Sequence, residues 1–304
     1  MTTILVTGGA GFIGSHVVDM LVDRGYHALV VDSLATGRLG NVNPSACFTD
    51  VDVSDANLSK VFEEHVDISA VIHLAAQTSV SVSWARPIQD LRSNGIGILN
   101  LLECCRQHEV GYFLFASSAA VYGDSEHIPI PETAPTSPQS PYALTKHLGE
   151  EYVRLYMREF GIRTCVMRFA NVYGPRQRND GEAGVVAIFA EAIKHERKIE
   201  IHGDGLQTRD FVYVGDVVDA MGRALERKVG GDFNIGTGTQ TSILHLYRIM
   251  AGISGIDGQP GFANSRPGDI RTSALNSEKA FRELAWEAQM DLESGLRRTM
   301  GAID

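Results

Sequence analysis

Three glycines, Gly8, Gly11 and Gly14, recur at every third residue in Thr7-Gly8-Gly9-Ala10-Gly11-Phe12-Ile13-Gly14, just after the apolar run Ile4-Leu5-Val6. Glycine is needed in such a turn because the chain reverses tightly, the backbone must approach a pyrophosphate closely, and the following helix must pack near the strand. The helix N-terminus then offers unpaired N–H groups and partial positive charge to the phosphates. A second strand ends in Val30-Val31-Asp32, at the separation at which a carboxylate accepts from an adenosine ribose. The pattern implies a dinucleotide site. Asp32 would repel a ribose 2′-phosphate, which favours NAD over NADP, and Arg38 reads as solvated. Asp52 lies just past the third strand and is open to two readings, a contact to the adenine edge or an acid at a helix N-terminus before Ser54-Asp55.

The rest of the first 170 residues alternates short apolar strands with helical segments. The strands are expected at 4–6, 27–31, 47–51, 70–74, 112–116 and 163–167, most of them buried on both faces. The fold class is therefore α/β, a Rossmann-like doubly wound parallel sheet with a smaller α/β C-terminal substrate lobe. After Arg168 the alternation loosens, with a helix expected at 185–195 and a last one ending near Met300. Half of the 10 prolines fall between Pro129 and Pro141, which predicts an extended surface loop.

Composition narrows the partners. A net charge of −10 opposes sequence-independent attraction to nucleic acid or anionic membrane, and no stretch approaches 18 apolar residues. The four cysteines show no CxxC spacing and read as reduced core residues, no metal site is indicated, and the absence of a leader suggests the cytoplasm.

Tyr142 and Lys146 stand four residues apart at the start of an expected helix, so they share one face. An ammonium one turn from a phenol, with a nicotinium ring close by, stabilises the phenolate and makes it a usable base near neutrality. Ser117-Ser118 closes the fifth strand at the carboxyl end of the sheet, where open α/β folds bind ligands and a hydroxyl can reach a reacting alcohol.

With these residues in hand, TGGAGFIG, VVDSL, VIHLAA, FASSAAVYGD, PYALTKHLGE, RFANVYGPRQ and GDGLQTRDFVYVGDVVDA together resemble the extended short-chain dehydrogenase/reductase family, in its UDP-glucose 4-epimerase group. The similarity runs from Thr3 to about Thr299. It implies that Ser118 hydrogen-bonds the sugar 4-hydroxyl, Tyr142 removes its proton, and Lys146 holds the nicotinamide ribose while lowering the pKa of Tyr142. Tightly bound NAD takes the hydride, a 4-keto sugar turns over, and the hydride returns to the other face. Residues 1–170 would form the NAD-binding domain, with a returning segment near 209–237, and residues 171–208 and 238–304 the nucleotide-sugar lobe.

The resemblance also implies cofactor contacts at Gly8, Gly11, Phe12, Ile13, Gly14, Asp32, Asp52, Val53, Leu74, Ala75, Ala76 and Asn94, besides Tyr142 and Lys146. Substrate contacts follow at Thr78 (where the family carries a lysine), Ser118, Asn171, the diphosphate-binding arginines Arg209 and Arg266, and Ser273. A small residue at position 273 leaves space for a 2-acetamido group, so UDP-GlcNAc is expected to turn over besides UDP-glucose. The alternatives are a UDP-glucuronate 4-epimerase or decarboxylase, a 4,6-dehydratase, and a non-catalytic NAD-binding regulatory protein. Dehydratases of the family carry Asp-Glu after the strand-five Ser/Thr, where this chain has Ala119-Ala120. Helices near 96–108 and 142–160 resemble the pair that forms a homodimer interface, with Val153, Leu155, Tyr156 and Phe160 as compatible apolar residues.

Overall fold

The computed structural model describes residues 2–178, 184–265 and 270–302. In chain order the first lobe runs β1 (Thr3–Thr7), α1 (Phe12–Asp23), β2 (His27–Asp32), β3 (Cys47–Asp50), α2 (Leu58–Glu64), β4 (Ile68–His73), α3 (Val80–Ala85), α4 (Pro87–Leu91), α5 (Gly97–Gln107), β5 (Tyr112–Ser118), α6 (Pro141–Phe160) and β6 (Arg163–Phe169). Then follow β7 (Asn171–Tyr173), α7 (Val185–Lys194), β8 (Glu200–His202), β9 (Thr208–Arg209), β10 (Phe211–Tyr213), α8 (Val214–Arg227), β11 (Gly231–Ile235), β12 (Thr241–Ser242), α9 (Ile243–Ile253), β13 (Gly261–Ala263), α10 (Glu278–Leu284) and α11 (Leu292–Gly301).

Seven strands form one sheet in the order β11-β6-β5-β4-β1-β2-β3, every neighbouring pair parallel. Strand residues alternate between two cores, as the two-residue period of a pleated strand requires. Ile4, Val6, Ala28, Val30, Tyr112 and Leu114 face one layer, with Val17, Leu21, Val217 and Met221 of α1 and α8. Leu5, Leu29, Val31, Phe113 and Phe115 face the other, with Phe62, Leu101, Leu102 and Val153 of α2, α5 and α6. The order of strands reverses between β1 and β4, the place where open sheets of this kind leave a crevice beyond the strand ends.

A separate apolar cluster joins α7, α9 and α11 through Phe189, Leu246, Met250 and Leu296. Three two-stranded ladders accompany it, β7 with β10, β8 with β13, and β9 with β12.

Two local expectations need correction. Cys47, in edge strand β3, is exposed, whereas Cys104, Cys105 and Cys165 are buried; all four are free thiols. With no outer neighbour in the sheet, β3 is only partly covered. The proline-rich segment is not wholly a surface loop, because Ile130 is fully buried and its backbone exchanges hydrogen bonds with Ala274 and Asn276. Proline keeps that segment extended, which is the shape such pairing needs.

Helix α6 is delimited by its own sequence. Ser140 Oγ caps it by accepting from Ala143 N at 3.2 Å, Pro141 occupies the first turn, and Gly161, at φ +71°, ends it. Tyr142 and Lys146 therefore sit in its first two turns, pointing back to the strand ends.

Candidate active site

The glycine loop fits a group that needs close backbone approach. Gly8 adopts φ +71°, and a Cβ there would lie 2.7 Å from Ala75 N; one on Gly14 would lie 2.0 Å from the Gly8 carbonyl oxygen. Asp32 anchors the loop's far side, its Oδ2 accepting from Ala10 N at 3.0 Å and its Oδ1 from Leu34 N at 2.8 Å. Phe12 and Ile13, both half-buried, begin α1. Asp52 is exposed and accepts from Ser54 N at 2.8 Å, closing a turn, while Val53 beside it is buried against Gly97.

Beyond β4, Leu74, Ala75 and Ala76 cross the sheet edge half-buried. Thr7 Oγ1 accepts from Leu74 N and Ala75 N, each at 3.2 Å, and lies 2.7 Å from His73 Nδ1. With its lone pairs taken, Thr7 donates its own proton to Nδ1, which leaves the His73 proton on Nε2. Burial, with Lys146 adding to it, lowers the His73 pKa to about 3, so the ring is neutral; it stacks on Phe115 at 5.7 Å. Thr7 and His73 thus pin the reversal point of the sheet, a role the sequence reading missed.

Ser118 ends β5, and its Oγ accepts from Ala120 N at 3.2 Å as the chain enters a short 3₁₀ turn. Its hydroxyl faces the Tyr142 phenol. Burial pushes that phenol up to about 12, against the opposing pull of the Ser118 hydroxyl and with Asp90 adding to the rise. Lys146 is 5% exposed; Nζ donates to the Ala116 carbonyl at 2.8 Å and lies 5.0 Å from the Phe115 ring centre. Burial lowers the ammonium to about 8, while Asp90 and Glu150 hold it up. Contrary to the simple expectation, burial and not the neighbouring ammonium dominates the phenol.

Asn94 lies in a π-helical turn, Arg92–Ile96, between α4 and α5; such turns favour functional sites. Its side chain accepts from Gln77 N at 2.8 Å and donates to Gln77 O, Asp90 Oδ1 and Thr145 Oγ1 at 3.0, 3.2 and 3.2 Å. Thr78, one residue on from Gln77, is exposed. Behind the site, Ser117 Oγ donates to Glu150 Oε1 at 2.6 Å, and Glu150 is held by Arg168 at 2.6 Å, both residues buried.

On the other side of the crevice, Asn171 opens β7, exposed, and its N–H bonds the Asp210 carbonyl at 2.8 Å. Arg209, on β9, donates from Nη1 to Thr208 O at 2.8 Å. Between them the buried Asp210 carboxylate collects Thr237 N and Oγ1, Gly238 N and Leu275 N at 2.6–3.1 Å, tying β9 to the strand-like segment that holds Ser273, itself 9% exposed. Arg266 lies outside the described residues.

Residues 4–236 match the NAD dependent epimerase/dehydratase family. The chain belongs to that family. Among solved members, a UDP-glucose 4-epimerase from Thermotoga maritima with UDP-glucose is 43% identical, covers 99% of this chain and 98% of its own, and superposes with a TM-score of 0.95. A UDP-glucose 4-epimerase from Thermus thermophilus in complex with NAD is 40% identical at TM-score 0.94, over 99% and 98% of the two chains. A UDP-N-acetylglucosamine 4-epimerase from Methanobrevibacter ruminantium is 32% identical at TM-score 0.94, over 99% and 97%. An NAD-dependent member of the family needs a cradle for the dinucleotide, and the glycine loop, where added Cβ atoms would collide, has that shape.

Proposed function

We propose that the chain is an NAD-dependent 4-epimerase of UDP-hexoses, carrying the reaction through a transient 4-keto sugar. The observation that carries this reading is the convergence of Ser118, Tyr142 and Lys146 at the carboxyl end of β5, beside the glycine loop. Solved relatives at 43% and 40% identity are UDP-glucose 4-epimerases, which supports the same substrate class.

In this reading the glycine loop with Phe12 and Ile13 holds the dinucleotide phosphates, Asp32 the adenosine ribose, and Asp52 and Val53 flank the adenine. Leu74, Ala75, Ala76 and Asn94 line the path to the nicotinamide. When bound, NAD supplies a hydride acceptor that returns the hydride, and a positively charged ring. Ser118 Oγ orients the sugar 4-hydroxyl, Tyr142 Oη takes its proton and later gives it back, and Lys146 Nζ steadies the phenolate with its charge. Thr78, Asn171, Arg209 and Arg266 serve the diphosphate and sugar, with residues 171–208 and 238–304 as the lobe that closes over them. The small Ser273 admits a 2-acetamido group, in keeping with the UDP-N-acetylglucosamine 4-epimerase relative at 32% identity. Ala119 and Ala120 carry no group able to expel a 6-hydroxyl, which disfavours dehydration.

We extend the proposal to a cytoplasmic homodimer. Apolar side chains stand exposed on α4 and α6, with Ile88 at 83% and Leu144 at 59%, along with Leu91, Leu155 and Phe160, and a partner's matching face would cover them. Val153 and Tyr156 belong to the core instead, at 0% and 6% exposure. Three buried free thiols suit a reducing compartment, and no helix among the described residues is long and apolar enough to cross a membrane.

The test is Tyr142→Phe. Turnover should fall about a hundred- to ten-thousand-fold while NAD binding persists. Undiminished turnover would overturn the assignment.

A further inference from the structure

Asp90 is a fully buried carboxylate that no step above uses. Its hydrogen-bond partners are neutral: Oδ1 accepts from Gln77 Nε2 at 2.7 Å and from Asn94 Nδ2 at 3.2 Å, and Oδ2 accepts from Thr145 Oγ1 at 2.7 Å. Among the described residues it forms no ion pair, unlike Glu150, which meets both Arg168 and Arg154. Three neutral donors bond the carboxylate but leave it without a contacting counter-charge in a buried site. Thr145, its third donor, is the residue immediately before Lys146 and also bonds the Tyr142 carbonyl at 3.1 Å, so Asp90 is braced directly against the turn that carries the catalytic pair.

We propose that Asp90 is a positioning residue for the Tyr142–Lys146 pair, its buried carboxylate bracing through Thr145 the turn that carries both side chains and governing the electrostatic setting in which they exchange protons. The proposal rests on the epimerase reading of this site. Each element packed on Lys146 contributes a known group: β4 the neutral His73, β5 the Ala116 carbonyl and Phe115 ring, α6 the Tyr142 phenol and Glu150, and α4 Asp90. Glu150 also holds up Lys146 but is matched by Arg168, whereas Asp90 acts on both Lys146 and Tyr142. The shifts run the same way, Asp90 raising both groups against or along with burial. A buried ammonium placed beside a second positive charge gives up its proton readily, and an ammonium that has lost its proton no longer steadies a phenolate. Asp90 prevents that loss.

Two interacting groups titrate as a pair, so removing a shared negative charge moves both proton losses down together. In Asp90→Asn, which keeps the size and an acceptor for Gln77 or Thr145, both limbs of the pH profile of kcat should move to lower pH by about one unit. Thr145→Val removes a hydrogen bond but no charge; it should lower the height of the profile and leave the limbs in place. An independent readout is ultraviolet difference titration of the Tyr142 phenol in the wild-type and D90N chains, each referenced to its Tyr142→Phe counterpart, where D90N should ionise at lower pH whatever the turnover. If D90N does not fold, Asp90→Ser carries the same measurement. Unmoved limbs and an unmoved phenol titration overturn the proposal, as does failure of both variants to fold, which would make the role structural. Wild-type chain that turns over no UDP-sugar would instead defeat the epimerase reading, with the phenol titration still deciding the role of Asp90.

Discussion

Lys146 Nζ donates a 2.8 Å hydrogen bond to the carbonyl of Ala116, two residues before Ser118 on the same strand. The carbonyl thereby fixes the ammonium relative to the serine hydroxyl, so that α6 and β5 are registered at the site by one bond between a side chain and a strand. The Phe115 ring lies 5.0 Å from the ammonium and His73 stacks on that ring.

The lysine carries a stability signature. Burial lowers its pKa from 10.5 to about 8, so above pH 8 the unfolded chain binds more protons at this position than the folded one. Its contribution to stability is therefore least favourable below pH 8 and improves as pH rises toward the unfolded value. Chemical denaturation of wild-type and Lys146→Met proteins between about pH 7.5 and 9.5 should show the rise in the first and its loss in the second. Parallel curves would contradict the assigned burial.

Gly14→Ala should remove the dinucleotide. The added Cβ would meet the Gly8 carbonyl oxygen at 2.0 Å, a backbone atom that cannot swing aside. Release of bound nicotinamide cofactor on denaturation should drop to background, and stability should fall by about 1–3 kcal/mol. Normal cofactor content in this variant would mean that the loop does not hold it.

Glu150, on α6, and Arg168 form a buried ion pair, with Ser117 and Arg154 on the same carboxylate. Burial pushes Glu150 up, but the hydrogen bond and charge of Arg168 outweigh it and leave the carboxyl below its usual range. Its contribution is thus present above the ordinary glutamate pKa and lost as pH falls through the lowered one. Glu150→Ala leaves the buried Arg168 guanidinium with Asp232, at 3.5 Å, as its remaining carboxylate and should cost about 3 kcal/mol in equilibrium unfolding. A loss under about 1 kcal/mol would show that the pair is solvated in solution.

Much of the fold was legible because burial on both faces leaves parallel strands as plain apolar runs; 27–31, for example, stands within the observed His27–Asp32. Tyr142 and Lys146 were legible because helix spacing fixes their common face. What was hidden depends on contacts distant in sequence. β11 reads as Gly231-Asp232-Phe233-Asn234-Ile235, with polar residues that pair elsewhere: Asp232 with Arg154, and Asn234 with Tyr122 and Ile130. Ile130 lay in a proline-rich stretch whose composition signals extension but not what it pairs with. Asp90 carries little local signal, since only Asn94, four residues on, is near it in sequence, while Gln77 and Thr145 stand 13 residues before it and 55 after. The upward shift of Tyr142 likewise comes from burial, which spacing along a helix does not report.

The central claim is that Ser118, Tyr142 and Lys146 epimerise a UDP-hexose at its 4-position with cofactor the protein already holds. The most direct measurement is NMR of the sugar's anomeric proton when purified protein is incubated with UDP-glucose, and in parallel UDP-GlcNAc, with no nicotinamide cofactor added. The account predicts an equilibrium mixture with the 4-epimer in both. Both sugars unchanged, even after NAD is added, would contradict it.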